Sequence, residues 1–270
     1  MSDELDVLKS VAARLGGAGF PYMVTGSMAA NFYAVPRMTR DIDLVVELSE
    51  RDVGRVTQLF QQEYYIDRDM VQRAVRDHTI FNMIHHALVV KVDCVVRKET
   101  EYRREEFARR RALSIADQEI FIVSPEDLIL SKLDWAKESR SQMQLDDVRN
   151  LLRSVQGLDT ALPESLGSSI GAHHTLSRGP SMKDTPPEME ARYRDMLMQL
   201  SGETRLKMGC AMRETARAFV EASIREQDPH ATPEAVRKGL FLRFYGHEFD
   251  VESRVKILAA IESTSHPVAK

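Results

Sequence analysis

The sequence predicts an α/β domain of the α+β kind followed by an all-helical domain. Three observations point that way. From residue 3 to about 125, amphipathic helical stretches alternate with short apolar strands. Residues 157–187 are rich in Gly, Ser, Thr and Pro and hold no sustained period, as a linker does. Beyond them the strand signals stop. The expected division is a first domain over 1–156, a linker over 157–187 and a helical domain over 188–270.

Residues 5–15 repeat apolar side chains at helical spacing, and residues 21–25 form a short apolar strand. Ser49 can cap a helix reaching about Gln62, with Asp52 in its first turn near the positive end of the helix dipole. Residues 79–86 and 87–96 read as the two strands of a hairpin. Ser124-Pro125-Glu126 joins a capping hydroxyl to a proline at the first helical position, so helices follow over 126–139 and 144–155. After the linker, helices are expected near 188–200, 203–226, 233–245 and 251–262. Thr232-Pro233 opens the third of these and Gly246 ends it.

Hydrophobic residues make up 43% of the 270 and charged residues 29%, which places the chain among folded globular proteins. A net charge of -4 gives no global attraction for nucleic acid, so RNA would have to be met by a local basic patch. Arg103, Arg104, Arg109, Arg110 and Arg111 are interleaved with Glu99, Glu101, Glu105 and Glu106, and read as a solvated, salt-bridged face. Cys94 and Cys210 stand apart in apolar surroundings, which suits reduced core thiols and a cytoplasmic protein. His78, His85 and His86 lack partners at zinc-ligand spacing and are assigned structural roles. No run of about 18 apolar residues suggests a membrane span.

The chemistry concentrates in residues 22–47. An apolar strand ends at Gly26-Ser27, a short helix follows, and two arginines, Arg37 and Arg40, precede Asp41-Ile42-Asp43 at the start of a second strand. Alternation along a strand puts Asp41 and Asp43 on one face with Ile42 on the other, and paired carboxylates of this kind hold Mg²⁺. Glycine between a strand and a helix lets backbone approach a phosphate, which the free N–H groups of the helix attract. A third acid, Asp93, lies in the later apolar strand and can join the pair. Two magnesium ions would then clamp the phosphate being transferred. Of the arginines, Arg40 is the preferred phosphate contact over Arg37.

This ordered set, Gly26-Ser27, then Asp41 fourteen residues after Ser27, then Asp93, resembles the DNA polymerase β-like nucleotidyltransferases. Together with Ser124-Pro125-Glu126-Asp127-Leu128-Ile129-Leu130-Ser131-Lys132 and Asp146-Asp147-Val148, it looks like the AbiEii/MenT-type toxins of bacterial toxin–antitoxin systems over residues 1–155. The resemblance implies a mixed sheet flanked by helices and transfer of a nucleoside monophosphate from a nucleoside triphosphate to a hydroxyl, with a tRNA 3′ end as acceptor. It implies Ser27 on phosphate, Asp41 and Asp43 on metal, Lys132 on the triphosphate and Asp147, or Asp146, near the active centre. Asp93 is left as a metal ligand, a base or neither. The stretch from Lys238 to Phe249 is similar to small helical antitoxin partners.

The expectation is thus an Mg²⁺-dependent transferase restrained in cis by its own helical domain, with Phe241, Phe244 and Tyr245 as anchoring side chains. A catalytically silent binding protein is the rival, as is a transferase acting on protein or on a small molecule such as an antibiotic. The number of chains that assemble is left open. Tyr22, Phe60 and Trp135 are expected in the core, and Met189, Met196, Met208 and Met212 as fillers on amphipathic helices.

Overall fold

The computed structural model describes residues 2–115, 117–158 and 186–263, so the expected linker at 157–187 lies almost wholly outside the described residues. In chain order come α1 (Asp3–Gly17), β1 (Tyr22–Val24), α2 (Gly26–Tyr33), β2 (Asp41–Val46), α3 (Val53–Phe60), β3 (Tyr64–Tyr65) and α4 (Arg68–Asp77). Next are β4 (Ile80–His85), β5 (Lys91–Val96), α5 (Glu101–Ala108), β6 (Arg111–Ile115), β7 (Gln118–Ile122), α6 (Pro125–Ser139) and α7 (Gln142–Ser154). The C-terminal region is helical: α8 (Pro187–Met198), α9 (Gly202–Gln227), α10 (Pro233–Phe244) and α11 (Val251–Ser263).

One seven-stranded sheet runs in the order β3-β4-β5-β2-β1-β7-β6. It is mixed. β2 pairs parallel with β5 and β1 parallel with β7, while the other neighbours are antiparallel. The predicted architecture, a mixed sheet flanked by helices with a helical C-terminal region, is the one observed. Period-two alternation explains how β2 is seated: Ile42, Leu44 and Val46 are buried on one face, and Asp41, Asp43 and Val45 are half-buried on the other. In β5, Val92, Cys94 and Val96 are buried likewise.

Three local features depart from the expected pattern. The helix after Ser49 opens as a 3-10 turn, Glu50–Asp52, and continues as α3, and the Ser49 amide and hydroxyl both donate to Asp52 Oδ2 at its start. Helix α4 is strongly polar and stops on His78 in the left-handed conformation, φ 49°, where glycine is the usual signal. The β6–β7 hairpin turns with Asp117 at φ 64° and carries no glycine.

The C-terminal helices share the core of the first region. Leu206 and Cys210 of α9 join the cluster built on the sheet. Phe241 and Tyr245, with Ile257 and Ile261, enclose Ile84 and Val89 from the β4–β5 hairpin in a second cluster. At Gly209 a side chain would collide with Asn31, so glycine lets α9 lie close on α2. A charged contact reinforces the packing: Arg213 and Glu4 form an ion pair with side chains 1% and 0% exposed. Arg213 also donates to the Val89 carbonyl at 2.8 Å and to the Tyr245 hydroxyl at 3.2 Å. No described helix is long and apolar enough to cross a membrane.

Removing one partner of such a pair leaves a buried charge unmatched. Arg213→Met is expected to lower unfolding free energy by about 3–5 kcal/mol in urea titrations, with much of the loss recovered in Glu4→Leu/Arg213→Met. A single variant as stable as the parent would show that α9 does not close on α1 in solution.

Candidate functional site

The site forms where β2 and β5 run side by side. Their parallel register sets Asp41 opposite Lys91 and Asp43 opposite Asp93, all four on the face away from the main core. Gly26, at φ 62°, takes the left-handed turn that leads from β1 into α2, and a β-carbon there would overlap the Asp43 carboxylate. The Thr25 amide donates to the Asp43 carbonyl at 2.9 Å. The turn and the second acid are therefore one structural unit. Thr25 caps α2 without a side-chain hydrogen bond.

Lys91 occupies the middle of the acids. Its Nζ stands 2.9 Å from Asp93 Oδ2 and 3.5 Å from Asp41 Oδ2, and it also pairs with Glu248 from the C-terminal region. Asp93 accepts a further bond from Asn82 at 3.2 Å. Burial pushes the Asp43 carboxyl up to about 7, with help from the charges of Asp41 and Asp93 and against the pull of Lys132 and Lys91. Burial raises Asp93 as well, though Lys91 opposes it. Lys91 itself is held above the ordinary lysine value: burial alone would lower it, and Asp93, Glu248 and Asp41 outweigh that.

A second network adjoins the first. Arg37 forks onto Asp147, with Nε and one Nη each 2.7 Å from a carboxylate oxygen, and donates to Ser27 Oγ at 2.6 Å. Lys132 Nζ lies 2.7 Å from the same Asp147 and 3.0 Å from Gln144 Oε1. Burial would raise Asp147, but the hydrogen bonds from Arg37 and the charge of Lys132 hold it below the usual carboxylate value. Gly26, Ser27, Lys132 and Asp147 are thus brought together through Arg37, the arginine ranked second on sequence grounds. Arg40 faces the other way, donating to the Phe244 carbonyl at 3.0 Å and meeting Glu248 at 3.4 Å. Asp146 is exposed and pairs with Arg149.

Lys91, Glu248 and Gln144 were not foreseen. Lys91 carried a signal, since it lies two residues before Asp93 and so on the same face. Glu248 carried none, being 157 residues away from Lys91 in sequence. Trp135, expected in the core with Tyr22 and Phe60, is instead 49% exposed, while those two are buried. Met189 and Met196, expected as core fillers, are more than half exposed. His85 Nδ1 accepts from the Ala87 and Leu88 amides, and His78 Nδ1 meets the Arg97 carbonyl, so both rings organise loops.

Asp41 and Asp43 offer hard oxygen donors side by side, and the crowding that raises Asp43 is charge a divalent cation would neutralise. The donor chemistry fits Mg²⁺ at this pair. Among the described residues, no three acidic, histidine or cysteine side chains are grouped so that they could hold a metal ion. Lys91 reaches both Asp41 and Asp93.

No family model matches the chain, and no curated protein matches it in sequence. Among solved structures, it is similar to an antigenic nucleotidyltransferase-like protein from Paracoccidioides brasiliensis, at 13% identity and TM-score 0.48, over 74% of this chain and 95% of that one. It is also similar to the lincosamide antibiotic adenylyltransferase LnuA, at 14% identity and TM-score 0.40, over 57% and 98% of the two chains. A further similarity is to ANT(2")-Ia in complex with adenylyl-2"-tobramycin, at 16% identity and TM-score 0.42, over 63% and 98%.

The raised Asp43 has a sign that stability can read. A carboxyl raised from 3.8 to about 7 on folding contributes stability in full at pH below its unfolded value, and that stability is lost as pH rises through 7. Without divalent cations, Asp43→Asn is therefore expected to melt several degrees above the parent at pH 8 and close to it at pH 4. Equal differences at both pH values would contradict the assignment.

Proposed function

We propose that the chain is an Mg²⁺-dependent nucleotidyltransferase, moving a nucleoside monophosphate from a nucleoside triphosphate to an acceptor hydroxyl. The observation that carries this reading is the unit of Gly26 and Asp43, in which the turn into α2 packs on a carboxylate crowded by Asp41 and Asp93. Phosphate beside charge-crowded carboxylates requires a cation between them, and the site offers donors for both.

In this reading Ser27 and the first free amides of α2 receive the triphosphate. Lys132 and Arg37 supply positive charge to it, held ready by Asp147, which acts as a positioning residue. Asp41 and Asp43 would hold Mg²⁺, whose chemistry is to neutralise charge on the phosphate undergoing displacement. Two ions were expected on the three acids. The contacts support one at Asp41 and Asp43, with Lys91 as a fixed positive charge shared by Asp41 and Asp93.

For the acceptor, a tRNA 3′ end in a toxin–antitoxin setting rests on the motif resemblance of residues 1–155. Restraint by the helical region has structural support: Glu248 pairs with Lys91 and Arg40, and the Tyr245 hydroxyl donates to the Arg40 carbonyl. The same contacts favour the rival of a silent fusion, because every cation around the acids is already matched by a carboxylate.

Incubating the full chain with each labelled triphosphate and total tRNA, or with aminoglycosides and lincosamides, separates these readings. Asp41→Asn and Asp43→Asn are expected to cut transfer by about a hundredfold or more, several kcal/mol of lost charge stabilisation. Lys132→Ala should act mainly on KM for the triphosphate, and Glu248→Ala should raise transfer if the region restrains. Transfer at the parent rate by Asp43→Asn contradicts the proposal. No transfer by the parent or by Glu248→Ala supports the silent reading.

A further inference from the structure

The face that carries the acids does not end with them. Two residues beyond Asp43 and Asp93, roughly 7 Å along each strand, Val45 and Val95 help to line a cavity of about 260 Å³. Thr25, whose amide holds the Asp43 carbonyl, lines it too. Helix α6 supplies another part of the wall with Trp135, one turn beyond Lys132 and 49% exposed. The cavity therefore lies on the same face of the sheet as the acids, two residues further along β2 and β5, and it presents an uncovered indole.

Its chemistry selects among ligands. The arginines at its rim are already committed: Arg97 pairs with Glu47 and Glu99, and Arg103 with Glu106 and Asp134. A phosphate would find them spent. Apolar valines with one exposed aromatic, edged by the Lys98 ammonium, suit a flat ring with a polar edge, while Ser131 is engaged with Arg103 and Glu106. The volume lies just under the range of about 300–1,000 Å³ that holds whole drug-sized ligands, so it admits a ring system rather than an entire nucleotide.

We propose that this cavity receives the base of the nucleoside triphosphate, stacked on Trp135, while the triphosphate lies toward Ser27 and Lys132. The assignment rests on the nucleotidyl-transfer reading and adds the subsite that selects the nucleotide.

Trp135 is the chain's single tryptophan, so its fluorescence reports on this cavity alone. The full chain would be titrated with ATP, GTP, CTP and UTP in the presence of Mg²⁺, with inorganic tripolyphosphate and the total tRNA acceptor as separate arms, and binding measured in parallel by calorimetry. Saturable quenching by at least one triphosphate, and none by tripolyphosphate, is expected. Trp135→Ala should raise KM for that triphosphate by about tenfold or more with little change in kcat, the loss of one base–aromatic stack, and Trp135→Phe should largely retain it. Triphosphate binding seen by calorimetry but with unchanged fluorescence and an unaffected Trp135→Ala would overturn the base subsite and leave nucleotidyl transfer standing. Quenching by tRNA alone would assign the cavity to the acceptor and overturn the proposal equally. No triphosphate binding at all would overturn both the subsite and the reading beneath it.

Discussion

The parallel, in-register pairing of β2 with β5 is the constraint on which the rest of the site depends. It sets Asp43 beside Asp93 and Asp41 beside Lys91, so charges far apart in sequence meet on one half-buried face. A shift of one residue would turn one strand's charged side chains into the main core, and a shift of two would separate Asp43 from Asp93. The apolar alternation of Ile42, Leu44 and Val46 against Val92, Cys94 and Val96 fixes the register because each must reach the same core. Packing thus determines electrostatics here. The crowded Asp43 is a consequence of hydrophobic seating, and Lys91 is the basic side chain that the same register puts among the acids.

The helical C-terminal region acts on that face from outside. Its helices contribute Leu206 and Cys210 to the core of the sheet and enclose the β4–β5 hairpin with Phe241 and Tyr245. The Glu4–Arg213 pair is buried between α1 and α9, and a pair so placed costs more when broken than it returns when formed. The region is accordingly part of the structure that supports the acids, and Glu248 on Lys91 is its direct contact with their face.

Much of this was legible in the sequence for local reasons. Helix starts such as Ser124-Pro125 and Thr232-Pro233 state their own geometry, and the observed helices begin there. Asp41 and Asp43 declare a shared face through strand alternation alone. What was not legible depends on contacts across the chain. Arg37 rather than Arg40 reaches Ser27 because Asp147 lies 110 residues away to receive its fork, and Arg40 is drawn off by Phe244 and Glu248. Trp135 looked like a core residue because helical spacing cannot tell which face of α6 a neighbour covers. His78 ended a helix without the glycine that would have marked it.

The proposed divalent-cation site is the pair Asp41 and Asp43 on the β2–β5 face. Its most direct test is a titration of the full, metal-free chain with Mn²⁺, followed by the paramagnetic resonance of the free ion. Saturable binding by the parent is expected, with a loss of affinity of about tenfold or more in Asp43→Asn, since one of two carboxylate donors has lost its charge. No binding by the parent at millimolar Mn²⁺, or equal binding by Asp43→Asn, would contradict it.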